Sequence, residues 1–239
     1  MGGGAAVLFG IIESTDKRSI MYRDTRADFP LVKLELSDET RHAKRWIRKL
    51  AKCGVSSVAV SNKLFSRLGQ ILENCGITPV AGDELLLRLG ARIALSALCH
   101  NNISFENTGA EIYSGDAYVF DAVSFCSEAM RYVSVCGRGS ERFARKANEE
   151  LGISVISGEI PAGLCDNVLR LYFDGRCELF EIKTKTGTLK FEKADIVLPQ
   201  KFSMLCDKEN AFGFAEILVR SGKLMLSQVE IGNVLLSNC

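Results

Sequence analysis

The chain has 239 residues, 47% of them hydrophobic, with 30 basic against 29 acidic side chains and a formal charge of +1. This composition supplies ample material for a buried core and argues against disorder, while the balanced charge lacks the basic field that draws nucleic acid or an anionic membrane surface. Nine cysteines, none in a Cys-x-x-Cys spacing, read as the thiols of a reducing, cytoplasmic setting rather than as a disulfide framework.

The opening MGGGAAVLFGII has an apolar run that follows no basic stretch and is too short to span a bilayer, so neither an export signal nor a membrane anchor is expected. Ala5 to Ile12 and Ser19 to Arg23 are β-like and flank Glu13-Ser14-Thr15-Asp16, which predicts an opening hairpin. Ser37 is placed to cap a helix, with Asp38 and Glu39 favourable in its positive first turn and Ala43, Trp46, Ile47 and Leu50 as its apolar stripe. Val55 to Ser61 then reads as a buried strand and Asn62 as the N-cap of a helix that Gly76 terminates. Ile77 to Ala81 is the returning strand, and Asp83 caps a long helix with a broad apolar face.

After a polar loop from His100 to Asn107, Ala110 to Tyr113 is strand-like and Asp116 is placed to cap a helix through Val119, Val123 and Cys126. Tyr132 to Cys136 is a strand, Gly137-Arg138-Gly139-Ser140 a tight turn, Phe143 to Leu151 a helix and Ile153 to Ser157 a strand. The octapeptide Gly76 to Asp83, GITPVAGD, returns as GISVISGE at Gly152 to Glu159. The sequence therefore reads as an internal repeat of two similar βαβ units, and such units imply a mainly parallel sheet.

Beyond Glu159 the pattern changes. Val168 to Phe173 and Cys177 to Ile182 flank Asp174-Gly175, a strong hairpin signal. Further strands at Thr188 to Phe191 and Asp195 to Leu198, a helix at Asn210 to Arg220 and a last strand at Val229 to Leu236 complete the chain. The expected organisation is an α/β core over residues 1–165 and an antiparallel, β-rich section over residues 166–239.

The best chemical candidate is the strand Val133-Ser134-Val135-Cys136 running into Gly137-Arg138-Gly139-Ser140 and a helix. Such a turn presents backbone N–H groups at the positive end of the helix dipole, where a phosphate accepts them. Arg138 adds a cation and Ser140 a hydroxyl, and Glu159 stands twenty residues beyond Gly139 at the end of the next strand. This stretch resembles the Rossmann dinucleotide-binding fingerprint, although Arg142 occupies the position of its third small residue. The resemblance implies a Rossmann-like fold and a nucleotide, dinucleotide or other phosphate-bearing small molecule. NAD(P) in an oxidoreductase is one form, with Gly137, Gly139 and Ser140 on the phosphate, Arg138 assisting, and Glu159 on ribose hydroxyls.

Other chemistry is sparse. His42 and His100 fall in no catalytic motif and Cys99-His100 lacks the paired spacing of a metal site, so no metal is expected. Cys136, beside a helix start that lowers thiol pKa values, is the least ordinary cysteine, though a buried structural thiol is the commoner role. The rival reading is a non-catalytic regulatory or assembly protein on the same scaffold.

Overall fold

The computed structural model describes residues 8–37, 42–113, 118–173 and 178–238, arranged as two compact units. One comprises residues 1–85 and 196–230, the other residues 86–195 and 231–239. Both combine a β-sheet with helices, and no described helix is long and apolar enough to cross a membrane.

The first unit is built on strands β1 (Leu8–Thr15), β2 (Ile20–Arg23), β3 (Leu31–Ser37), β4 (Val55–Val60) and β5 (Thr78–Val80), in the order β2-β3-β1-β4-β5. All neighbours are parallel except β2 and β3. The predicted opening hairpin is therefore corrected: β1 and β2 both form, but β3 lies between them and pairs with each. Ser37 ends that strand, its N–H donating to the Ser19 hydroxyl at 3.0 Å, instead of capping a helix. Asp38 and Glu39 lie outside the described residues.

Helices α1 (Ala43–Lys52) and α2 (Asn62–Glu73) bury their stripes on one face of this sheet. Ile47, Leu50, Leu64, Leu68 and Leu72 meet Ile12, Leu34, Val58 and Val60, all at or near zero exposure. Ser61, one residue before the expected Asn62, is the N-cap of α2, and its hydroxyl accepts the Leu64 N–H. The alternate residues of β1 and β3 make the other face. There the nearly buried Lys33 ammonium pairs with Glu13 at 3.0 Å, and the Tyr22 hydroxyl donates to Glu35 at 2.9 Å. Burial, with that carboxylate beside it, pushes the Tyr22 phenol up to about 12.

Late residues complete the unit. The short α6 (Gln200–Ser203) brings Phe202 to Phe29, and α7 (Ala211–Arg220) packs against β4 and β5. Gly213 permits this approach, because a Cβ there would stand 2.2 Å from the Val80 carbonyl oxygen. One turn further along α7, the Glu216 carboxylate accepts the Leu85 N–H at the start of α3 (Asp83–His100).

The second unit holds a seven-stranded sheet. Its strands are β6 (Thr108–Tyr113), β7 (Tyr132–Cys136), β8 (Ile156–Ser157), β9 (Asn167–Tyr172), β10 (Phe180–Thr184), β11 (Gly187–Val197) and β12 (Glu230–Asn238), in the order β12-β11-β10-β9-β6-β7-β8. Four neighbouring strands, β9, β6, β7 and β8, are parallel, and β10 is antiparallel to both β9 and β11. The antiparallel strands β10 and β11 thus extend this sheet beyond β9, whereas residues 196–230 belong to the first unit. Asp174-Gly175, the expected turn before β10, lies outside the described residues, as does Asp116.

The two octapeptides belong to different sheets, β4-α2-β5 in the first and β7-α5-β8 in the second, where α5 is Ser140–Leu151. Their matched glycines have a local cause. Gly76, Gly82, Gly152 and Gly158 all adopt positive φ, between 68° and 100°, where a side chain is strained. Asp83 then opens a helix, whereas Glu159 enters an irregular crossover.

Candidate functional site

The carboxyl ends of β6, β7, β8 and β9 lie side by side, ending at Tyr113, Cys136, Ser157 and Tyr172. From β6 the chain runs through α4 (Val119–Ala129) to β7 and through α5 to β8, stepping outward each time. It then returns across to β9 on the other side of β6. Helices α4 and α5 touch through Phe120 and Phe143. Since parallel crossovers are right-handed, the return segment 158–166 runs over the face opposite these helices. Open α/β sheets bind ligands at such reversals, outside the carboxyl ends of the strands.

The Gly137–Ser140 turn sits at this edge. Gly137 and Gly139 have φ of 98° and 84°, both are exposed, and a Cβ at Gly139 would meet nothing within 4 Å. Gly139 is the N-cap of α5 and has no side chain to accept the first-turn N–H groups. Ser140, placed by the sequence among the ligand donors, is the first residue of the helix. Its hydroxyl lies 2.9 Å from that of Ser157 and ties the helix start to the end of β8. Arg138 is exposed.

Glu159 follows two residues after Ser157. Gly158 N–H donates to the Val135 carbonyl, which fixes the segment against β7, and the Tyr113 hydroxyl stands 3.4 Å from the exposed Glu159 carboxylate. The turn and the acidic residue are therefore brought to neighbouring strand ends.

Beneath this edge lies a row of polar side chains that the sequence reading passed over. Register sets Ser134, Glu111, Arg170 and Glu181 abreast across β7, β6, β9 and β10, with Cys136, Tyr113 and Tyr172 abreast in the next row. The Arg170 guanidinium donates to Glu111 at 2.9 Å and to Glu181 at 3.3 Å. Glu111 also accepts the Ile160 N–H at 3.0 Å and the Tyr113 hydroxyl at 3.3 Å, while the Tyr172 hydroxyl donates to Glu181 at 2.8 Å. Although burial opposes its charge, Arg170 is held above the ordinary arginine value by these two carboxylates and Tyr113. Burial, followed by the Glu111 charge, raises the Tyr113 phenol.

Cys136 does not have the lowered pKa that a neighbouring helix start suggests. Burial raises the thiol, the Glu111 and Glu159 charges add to this, and hydrogen bonds from Ser134 and Tyr113 offset it only in part. A protonated, 2% exposed sulfur is a core group.

The arrangement offers an uncapped helix start, an exposed arginine and an accessible carboxylate at one sheet edge. It can receive an anionic group and hydroxyls; the ionisable groups below are engaged with one another. Two cavities, of about 590 and 610 Å³, have no residue of this turn in their walls. Among the described residues, no group of three His, Cys, Asp or Glu side chains has the geometry to hold a metal ion. No family model, no curated protein and no solved structure matches the chain.

Proposed function

We propose that the protein binds a nucleotide, dinucleotide or other phosphate-bearing small molecule at the carboxyl edge of its second sheet, on a Rossmann-like run of parallel strands. In this reading the N–H groups at the start of α5 receive the phosphate. Arg138 supplies a charge-assisted contact and Glu159 accepts ribose hydroxyls. Gly137 and Gly139 keep side chains out of the way, and Ser140 braces the helix start against Ser157 as well as offering its hydroxyl. NAD(P) is the cofactor of the oxidoreductase form of this proposal. The observation that carries the reading is the pairing of an open, uncapped glycine turn with an exposed carboxylate two residues past the neighbouring strand.

The second reading, a regulatory or assembly protein without catalysis, draws on a different observation. The charges nearest the edge, buried Glu111 and half-buried Arg170, satisfy each other, and Cys136 is held protonated.

Thermal shift and calorimetry with NAD(H), NADP(H), ATP and inorganic phosphate separate these outcomes. Binding at about 100 times Kd stabilises the native state by about 2.7 kcal/mol. The part of the shift that this turn supplies is expected to vanish in Gly139→Asp, which sets an anion where the phosphate would sit, and to survive better in the neutral Gly139→Asn. A shift that Gly139→Asp leaves undiminished for every ligand, or no binding across the panel, refutes the assignment.

A further inference from the structure

The cavity of about 590 Å³ in the first unit lies at the carboxyl ends of β1 and β3, against one side of α1. Among the described residues, four cationic side chains line it, Lys17 and Arg18 from the β1–β2 connection and Arg45 and Lys49 from α1, and Asp16 is the only acidic residue in its wall. The chain as a whole carries nearly equal numbers of positive and negative groups, so this local excess is a property of the fold. It arises because β3 inserts between β1 and β2, which carries the β1–β2 connection past the end of β3. Ser19 fixes that connection by accepting the Ser37 N–H.

Trp46, half-buried, forms part of the same wall, and the Lys49 ammonium stands 4.2 Å from its ring centroid. The cavity thus combines converging positive charge with an aromatic surface, at a volume typical of small-molecule sites.

We propose that this cavity is a second ligand site, taking a small molecule that carries a pyrophosphate group. A monocarboxylate would leave most of the positive charge unanswered. A pyrophosphate presents several charged oxygens over a short span, which arginine forks and lysine ammonium groups can contact from both walls. The aromatic surface beside them suits a ring attached to that group, as in a nucleoside diphosphate. This site is independent of the Gly137–Ser140 turn, which belongs to the other unit.

Trp46 is the only tryptophan in the chain, so its fluorescence reports on this cavity alone. The full chain is titrated with inorganic pyrophosphate and with ADP at physiological salt, beside Arg18→Gln/Arg45→Gln, Gly139→Asp and a sodium chloride control of equal ionic strength. A saturable change with a midpoint below about 1 mM is expected, weakened at least about tenfold in the double variant and kept in Gly139→Asp. ADP binds at least as tightly as pyrophosphate if the ring meets Trp46. Arg18 and Arg45 are exposed, so their replacement is expected to leave the circular dichroism spectrum unchanged; the single Lys17→Gln provides the same comparison if it does not. The proposal is overturned by no saturable change, by equal affinity in wild type and variants, or by a response that sodium chloride reproduces. A single-stranded oligonucleotide that binds more tightly than pyrophosphate through the same arginines also overturns it, in favour of a nucleic-acid surface.

Discussion

Replacing Glu111 with alanine tests how the crossover that carries Glu159 is held in place. The carboxylate is 2% exposed and accepts from three donors: Ile160 N–H, Arg170 Nε and the Tyr113 hydroxyl. Breaking a buried ion pair by removing one partner costs about 3–5 kcal/mol. Arg170 retains Glu181 at 3.3 Å, and its side chain is 25% exposed, which places this contribution at the lower end of that range. The Ile160 N–H loses its acceptor in a buried position, which costs about 1–3 kcal/mol. The expected total is about 4 kcal/mol. Glu111→Gln keeps its oxygen as the acceptor for Ile160 but turns an amide NH2 toward the Arg170 Nε–H, so the ion pair is still lost and the cost should fall only to about 3 kcal/mol. Urea unfolding followed by circular dichroism gives the global change, and hydrogen exchange read by mass spectrometry isolates residues 158–166. Faster exchange there is expected in Glu111→Ala, beyond that in Glu111→Gln. A Glu111→Ala protein within about 1 kcal/mol of wild type, with unchanged protection over that segment, would refute the claim that Glu111 anchors the crossover.

Two further outcomes follow from the first unit. Gly213→Ala is expected to destabilise it by more than about 3 kcal/mol, because the new Cβ would press on the Val80 backbone at 2.2 Å. In the second unit, Gly109→Ala meets the movable end of Ile160 at 2.5 Å and should cost less; equal unfolding midpoints for the two variants would contradict this ranking. Asp24 gives a pH signature. The Arg26 guanidinium, with help from the Arg26 N–H, holds its carboxyl below the ordinary value of 3.8 despite burial. Its stabilisation is therefore complete above that value and disappears as pH falls through the lower folded-state pKa. The deficit of Asp24→Asn relative to wild type should be constant from about pH 7 to 5 and shrink below about pH 4; urea midpoints that keep the same gap down to about pH 2.5 would rule the assignment out.

Local signals were the legible part of this chain. The strand, helix and glycine of β4-α2-β5, the turn from β7 into α5 and the body of α7 follow from apolar period and helix-ending residues close in sequence. The strand β3 was not legible, because Lys33 and Glu35 break its apolar run and their partners Glu13 and Tyr22 lie 20 and 13 residues away. Its place between β1 and β2 is a property of the assembled sheet, which no hairpin rule contains.

The candidate site divides in the same way. Gly137, Gly139 and Glu159 were visible as a turn and an acidic residue at the expected spacing. Glu111 and Arg170 each appear as one charge inside an otherwise apolar strand, Glu181 shares its strand with Lys183, and only the register of three strands puts them in line. A lone charge midway along an otherwise apolar strand is the available clue, since burying it requires a partner. Ser140 shows how chemical type and position can part: its hydroxyl suits a cap, yet Gly139 occupies that position and Ser140 meets Ser157, 17 residues further on.

The closing of the first unit by α7 bears on the order in which the chain acquires its structure during synthesis. Leu85 and the Glu216 that accepts its N–H are 131 residues apart, and almost all of the second unit is encoded between them. At a synthesis rate of about 5–20 residues per second, β4 and β5 wait on the order of ten seconds for their helix. During that interval Val80 and the apolar positions around it have no native cover from α7. The nascent first unit is thus the stage most exposed to aggregation, whereas the second can assemble all its strands but β12 from one continuous stretch of chain.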